Sequence, residues 1–311
     1  MLGFSIHRPE LVSRMGAHMM AHDVIILEEP PDNSFRLMLE KKIGINDYLQ
    51  GLDIEYPIFS RKMCRWMQRL AAQHKQIKQV EPYLETLLEI HEFFADGGRP
   101  DQLAGESIHE DVYRVEKHAT AALLNFYQVF MSSPFEMVLE SVKHFARKDA
   151  ARFQLRDELR AKALLPLVET DAKVFIEAGL MHLALRRQLR RRMAKPQRLQ
   201  TKFIADDLLH QNGLSGRLYG PGDRLTLLYI FHPEISQPEV ETLLAARALI
   251  YNKLIYKSEI DAGDDIRNLK NEVACLQKVQ HLSLHDCRRM YRQFKKLRGS
   301  PQTSSHLDGT T

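Results

Sequence analysis

Gly179, Leu180, Met181 and His182 close an apolar tract and open a strongly basic one. A glycine directly after a strand lets the backbone turn tightly or approach a ligand. A histidine three residues later falls in the first turn of the next helix, near its N–H groups and positive dipole end. That position lowers an imidazole's pKa and favours the neutral form, which binds metal or takes a proton. It equally suits a histidine that caps the helix or packs on the sheet, so the motif needs partners before it reads as chemistry. Candidates stand at the ends of other strand-like tracts: His7, the pair Glu28 and Glu29, Glu81, and Glu177 just before the glycine. A polar residue at one strand end is ordinary, because strands stop where the chain meets solvent. Recurrence over four tracts is the signal, and two imidazoles with several carboxylates on one rim suit a divalent metal or an acid–base pair.

The elements that must position these groups follow from periodicity. Residues 2–6 are a short apolar run of strand length, and residues 23–27 ("DVIIL") are rich in β-branched side chains (Val24, Ile25, Ile26), as in a strand buried on both faces. Residues 76–80 and 173–179 are the third and fourth strands, and 199–205 a candidate fifth. Between them lie helical patterns: one after Pro9 with Leu11, Met15, Met19 and Met20 on its apolar face, then 34–42, 57–73 and 83–95. Residues 108–167 read as two long helices broken at Ser133-Pro134, with the serine placed to cap and the proline at the first turn. Residues 225–231 fit a strand or a buried helical turn. Three amphipathic helices complete the chain, the last with Ser283 as its N-cap. Strands separated by helices predict parallel βαβ units, hence an α/β fold with a mostly parallel central sheet flanked by helices. Residues 1–212 form this domain, with a helical insertion at about 83–170. Residues 213–298 are a mainly helical extension, and 299–311 a small, polar tail expected to be disordered. In open parallel sheets, ligands bind at the carboxyl ends of the strands, where the ionisable groups are placed.

Arg152, Arg156 and Arg160 recur every four residues on the helix before the fourth strand, so they share one face. With Asp157 and Glu158 interspersed, this reads as a solvated, salt-bridged surface from which one arginine can turn inward to clamp a carboxylate. Arg186, Arg187, Arg190, Arg191 and Arg192, then Lys195 and Arg198, invite a nucleic-acid reading. Aromatics are not interleaved as stacking platforms, so a solvated helix face is preferred.

Bulk numbers exclude several classes. The chain has 311 residues, 44% hydrophobic and 27% charged, which is ordinary for a globular protein. Lysine and arginine total 44 against 40 aspartates and glutamates, so the net charge of +4 argues little about partners. Three cysteines without metal-ligand spacing fit a reducing compartment. No apolar run approaches the roughly 20 residues that span a bilayer, and the N-terminus lacks an export signal. A cytoplasmic protein is expected. No dinucleotide fingerprint, phosphate loop, nucleophile elbow or HExxH motif occurs.

The order of these elements resembles the superfamily that groups TraB/PrgY, TIKI, erythromycin esterase and ChaN proteins. Its marks are two GxxH motifs, an acidic residue after an early strand and an arginine before the second GxxH. The second motif matches Gly179 to His182 fully; the acidic residue falls on Glu28 or Glu29, and the arginine on Arg156. The first motif ends on His7, with Phe4 where glycine is expected. The resemblance covers about residues 1–205. TIKI-like members are metal-dependent proteases, erythromycin esterase uses histidine as a general base, and ChaN binds haem.

Residues and resemblance together lead to one expected function, hydrolysis of an ester or peptide-like bond. His7, His182 and Glu28 or Glu29 would hold a divalent metal and its activated water, and Arg156 would stabilise the oxyanion. Glu81, Glu177 and Gly179 would line the ligand site. A metal-free variant uses His7 or His182 as base. The alternative, which Phe4 favours, is a ligand-binding or regulatory protein for a small anionic ligand or haem. The expected partners are a small-molecule or peptide substrate, with neither nucleic acid nor membrane; self-association through the C-terminal helices stays open.

Overall fold

The apolar tracts pair side by side into a sheet in the computed structural model, which describes residues 1–52, 54–103, 105, 107–193, 198–214, 216–234, 236–256, 258–260 and 265–299. Five strands, β1 (Leu2–Ser5), β2 (Val24–Leu27), β3 (Gln76–Gln79), β4 (Val174–Gly179) and β5 (Thr201–Phe203), lie in the order β3-β2-β4-β1-β5. Every pairing is parallel, so all carboxyl ends share one edge. The register sets Ser5 beside Gly179 and Leu27 beside Gln79. His7, Glu28, Glu81 and Gly179 are thereby brought to that edge from four strands.

Alternation along the strands divides the side chains between two cores. Leu2, Phe4, Val24, Ile26, Ile176 and Ala178 pack on one side with Ala161, Leu164, Leu185 and Leu189. Ile25, Leu27 and Phe175 pack on the other with Met15, Met19, Met38 and Met67. Gly3 belongs to this second face: a Cβ there would lie 2.5 Å from the Phe175 ring, so only glycine lets the ring cross β1. Phe4 points the opposite way and stacks on Phe203 at 5.1 Å between ring centres. A phenylalanine in the first GxxH-like motif therefore occupies the far core and does not intrude at the carboxyl edge.

The second face is covered by α1 (Val12–Met20), α2 (Asn33–Leu39), α3 (Ile45–Gln50) and α4 (Pro57–Ala72). After β3 come α5 (Pro82–Ala95), α6 (Ile108–Ser132) and the 34-residue α7 (Phe135–Val168), then α8 (Leu183–Arg192) after β4 and α9 (Ile204–Gln211) after β5. The chain ends with α10 (Pro221–Phe231), α11 (Pro238–Leu254), α12 (Arg267–Gln280) and α13 (Leu284–Gly299). The near end of α7 shares a third core with these helices, through Val138, Leu225, Leu249, Val279 and Cys287. From α12, Leu269 and Val273 reach back into the core beneath the sheet. The C-terminal extension is thus packed on the α/β unit through α7 and α12.

Some local expectations are corrected. Residues 225–231 are helical within α10, which starts at Pro221. The fifth strand is only Thr201–Phe203, because α9 begins at Ile204. A helix at Ile45–Gln50 was not foreseen. It is short, and the Gly44 N–H donates to Asp47 Oδ2 at 3.2 Å to fix its start. Ser133 does not cap α7: its N–H closes α6 on the Val129 carbonyl at 2.9 Å, and Pro134 holds the cap position without a side-chain bond. Ser283 does cap α13, accepting the Asp286 N–H at 3.1 Å. Lys195 and the tail at 300–311 lie outside the described residues. No helix among the described residues is long and apolar enough to cross a membrane.

Candidate functional site

The turn after β4 places His182 where the edge is most crowded with charge. The His182 N–H donates to the Gly179 carbonyl at 3.1 Å, folding the ring back toward β2. A Cβ on Gly179 would stand 3.4 Å from that ring and 3.6 Å from a Glu28 oxygen, so glycine leaves the approach open. His182 Nε2 lies 2.6 Å from Glu28 Oε1, and Nδ1 lies 2.5 Å from Asp157 Oδ1. The ring is 4% exposed. Burial by itself lowers its pKa, but Glu28 and Asp157 outweigh burial and push it up to about 9. His182 is therefore an imidazolium whose two N–H groups both donate. This corrects the expectation of a neutral ring at a helix start: two carboxylates at hydrogen-bond distance overwhelm the dipole. Nor does its side chain cap α8. That task falls to Asp157 Oδ2, which accepts the Leu185 N–H at 2.8 Å.

Glu28 is the hub. Its Oε2 accepts the Gly179 N–H at 2.6 Å and lies 3.3 Å from Arg160 Nη1, while Oε1 lies 3.3 Å from Arg156 Nη2. Burial opposes its ionisation, but His182 and Arg160 hold its carboxyl well below the usual range. Arg156 also donates from Nε to Glu81 at 3.1 Å. Glu81 is fully buried beside the Pro82 that starts α5; burial raises its pKa against the pull of Arg156. Arg160, fully buried, donates to the carbonyls of Val80 at 2.9 Å and Glu177 at 2.7 Å, stapling α7 to the ends of β3 and β4. Of the expected solvated, salt-bridged face, Arg152 keeps the salt bridges, to Asp149 and Glu116, but is half-buried, and Arg156 and Arg160 turn inward. Arg160 and Asp157 went unrecognised. Their spacing in an i, i+4 arginine row with an aspartate between shows a shared helix face but not that this face meets the sheet edge.

A cleft of about 650 Å³ opens beside this hub. His7, Glu28, Glu29, Arg156, Glu177, Gly179 and His182 all line it, whereas Glu81 supports it from behind. Phe35, Tyr48, Phe59 and Met63 give it an apolar wall; Asp223 of α10 and Glu272 of α12 close the far side. The His7 ring is open to the cleft, stacked on Phe59 at 4.8 Å and edge-on to Tyr56 at 5.6 Å between centres. Desolvation by these walls lowers its pKa, against the pull of Glu28, Glu55 and Glu259. His7 is thus the neutral imidazole of the pair. Glu177, on the Phe175 side of β4, is driven up to about 8 by burial and then by Glu29 and Glu28, so its carboxyl keeps its proton at neutral pH. Glu29 is exposed, accepts from Gln79 Nε2 at 3.0 Å, and is raised by desolvation.

These donors do not suit the expected metal. Both ring nitrogens of His182 are bound to carboxylates, and both Glu28 oxygens are bound by cations or an N–H. Among the described residues no group of three histidine, cysteine, aspartate or glutamate side chains is arranged to hold a metal ion. Haem fares no better: of the two histidines among the described residues that line the cleft, His182 has both ring nitrogens taken by carboxylates, which leaves His7 as a single axial ligand.

No protein-family model matches the chain, and no solved structure matches it. A protein of Archaeoglobus fulgidus described as an uncharacterized protein is 30% identical over 280 residues, covering 88% of this chain and 90% of its own length. The aligned span is long enough to take in nearly the whole α/β unit and its helical extension, and the chain belongs to the same family as that archaeal protein.

Proposed function

We propose that the protein is a hydrolase of an ester or peptide-like bond, working at the carboxyl edge of its sheet without a metal. The observation that carries the reading is that His7, stacked on Phe59, and the buried Glu177 line one cleft, where desolvation lowers the pKa of the imidazole and raises that of the carboxyl to about 8. Environments that drive titratable groups apart are how one site supplies both a base and an acid. The resemblance to the superfamily of TraB, TIKI and erythromycin esterase supports hydrolysis, and its erythromycin esterase branch supports a histidine base, with His7 closing the first motif and His182 the second.

In this reading His7 takes a proton from water as the water oxygen attacks the substrate carbonyl carbon. The bond from that carbon to the leaving oxygen or nitrogen breaks, and Glu177 gives its proton to the leaving group. Proton transfer from the His7 imidazolium through solvent to the Glu177 carboxylate restores both groups. His182, Glu28, Asp157, Arg156 and Arg160 supply a fixed, buried charge lattice that holds the strand ends in place. The apolar wall of Phe35, Tyr48 and Phe59 favours a substrate with an apolar body. Hydrolysis of p-nitrophenyl acetate by the purified protein tests the reading. Turnover should fall sharply in His7→Ala and in Glu177→Gln; turnover that survives both substitutions removes this cleft from the reaction.

A further inference from the structure

Arg8 follows His7 directly, and nothing in its sequence context marks it. The structure buries the residue to 8% exposure and places it in the cleft wall. Glu272 of α12 takes two of its donors on a single oxygen: Nε at 3.2 Å and Nη2 at 3.1 Å. The third nitrogen, Nη1, is buried without a hydrogen-bond partner among the described residues. A guanidinium is planar and rigid, so gripping Nε and Nη2 from one side turns Nη1 away from Glu272. A charged donor left buried and unpaired is uncommon and destabilising, and a catalytic role or a bound water or ion is what ordinarily accounts for one.

Arg156, the arginine expected to meet an oxyanion, is already engaged by Glu81 and Glu28. We propose that Arg8 is instead the donor that meets negative charge in this cleft, its Nη1 N–H bonding the substrate carbonyl oxygen as that oxygen becomes anionic. The assignment rests on the hydrolase reading above and names a neutral carbonyl compound as the substrate class. Glu29, Glu177 and Asp223 line the same cleft and have raised pKa values, each mainly through desolvation. A resting anion would meet repulsion whenever one of them ionised, whereas a neutral substrate acquires its charge only during reaction. Interactions that strengthen only then raise the rate rather than the affinity for substrate.

The experiment uses Glu272→Gln, Arg8→Gln and the double variant. The double variant keeps the shape of the pair without stranding one buried charge. Phenylphosphonate, an apolar ring bearing the oxyanion that the substrate acquires only in reaction, is the binding probe, followed by calorimetry on the full chain at pH 5.5, where Glu177 and most of Asp223 keep their protons and do not repel it. The double variant should bind it about 10- to 100-fold more weakly than wild type, the worth of one charge-assisted hydrogen bond. Glu272→Gln alone should bind it more tightly, because Arg8 then carries an uncompensated charge. In p-nitrophenyl acetate hydrolysis the double variant should lose about 10²- to 10³-fold in kcat with little change in KM. Wild-type protein that does not bind phenylphosphonate, or a folded double variant that binds it as wild type does, overturns the assignment. So does Glu272→Gln weakening it as much as the double variant, the mark of a merely structural pair. If binding follows the expected pattern but wild type hydrolyses no ester, Arg8 stands as the anion donor and the hydrolase reading falls.

Discussion

His182 Nε2 stands 2.6 Å from Glu28 Oε1, and this contact joins the second GxxH-like motif to the end of β2. Asp157 grips the other ring nitrogen at 2.5 Å from α7, so one imidazolium ties two strands' ends to the longest helix. The two histidines singled out by sequence thereby take different roles: His182 anchors charge, and His7 is left free to work.

Asp157→Ala should destabilise the protein by about 3–5 kcal/mol, because it strips one partner from a buried imidazolium and uncaps α8. Urea unfolding followed by circular dichroism measures this. A loss below about 1 kcal/mol would mean that His182 is not held as described.

Stability should fall as pH rises from 6.5 through 9. The His182 pKa is raised in the folded state from 6.5 to about 9, so its contribution is complete below 6.5 and gone above 9. A shift of that size corresponds to about 3 kcal/mol. Glu177, raised from 4.5 to about 8, acts in the same direction as it loses its proton, over the window from 4.5 to 8. Urea midpoints at pH 6, 7.5 and 9.5 should therefore decline for wild type and decline less for Glu177→Gln. A flat series contradicts both assignments.

Gly3→Val should destabilise by about 1–3 kcal/mol by driving a side chain into the Phe175 ring. Phe4→Gly should also destabilise, through loss of the Phe203 stack, but should leave phenylphosphonate binding intact. Its ring lies in the far core, so weakened binding would place Phe4 at the site after all.

Dialysis against EDTA should leave p-nitrophenyl acetate hydrolysis unchanged, since the nitrogens of His182 and the oxygens of Glu28 are already taken. Loss of turnover on chelation, restored by a divalent metal, would show that these pairs open to admit one.

The fold and much of the rim were legible because period and punctuation agree. The apolar run at Val24–Leu27, β-branched at its first three residues, and the tract ending at Gly179 are buried strands, and parallel pairing then fixes which ends meet. Glu28, Glu177 and His182 were reachable by that route. Arg160 and Asp157 were not, because helical periodicity says which residues share a face but not whether that face meets solvent or a sheet edge. Charge state was hidden for the same reason. A helix N-terminus alone makes His182 neutral, and only the approach of Glu28 and Asp157 reverses it. Arg8 carries no sequence signal; its burial depends on Glu272, 264 residues away.

The division of labour between the two imidazoles is tested most directly by titrating both rings by NMR, with assignments from His7→Ala and His182→Gln. The account predicts that His7 titrates below 6.5 and that His182 stays protonated until about pH 9. A His182 that loses its proton below pH 7, or a His7 that remains charged at pH 8, would contradict it.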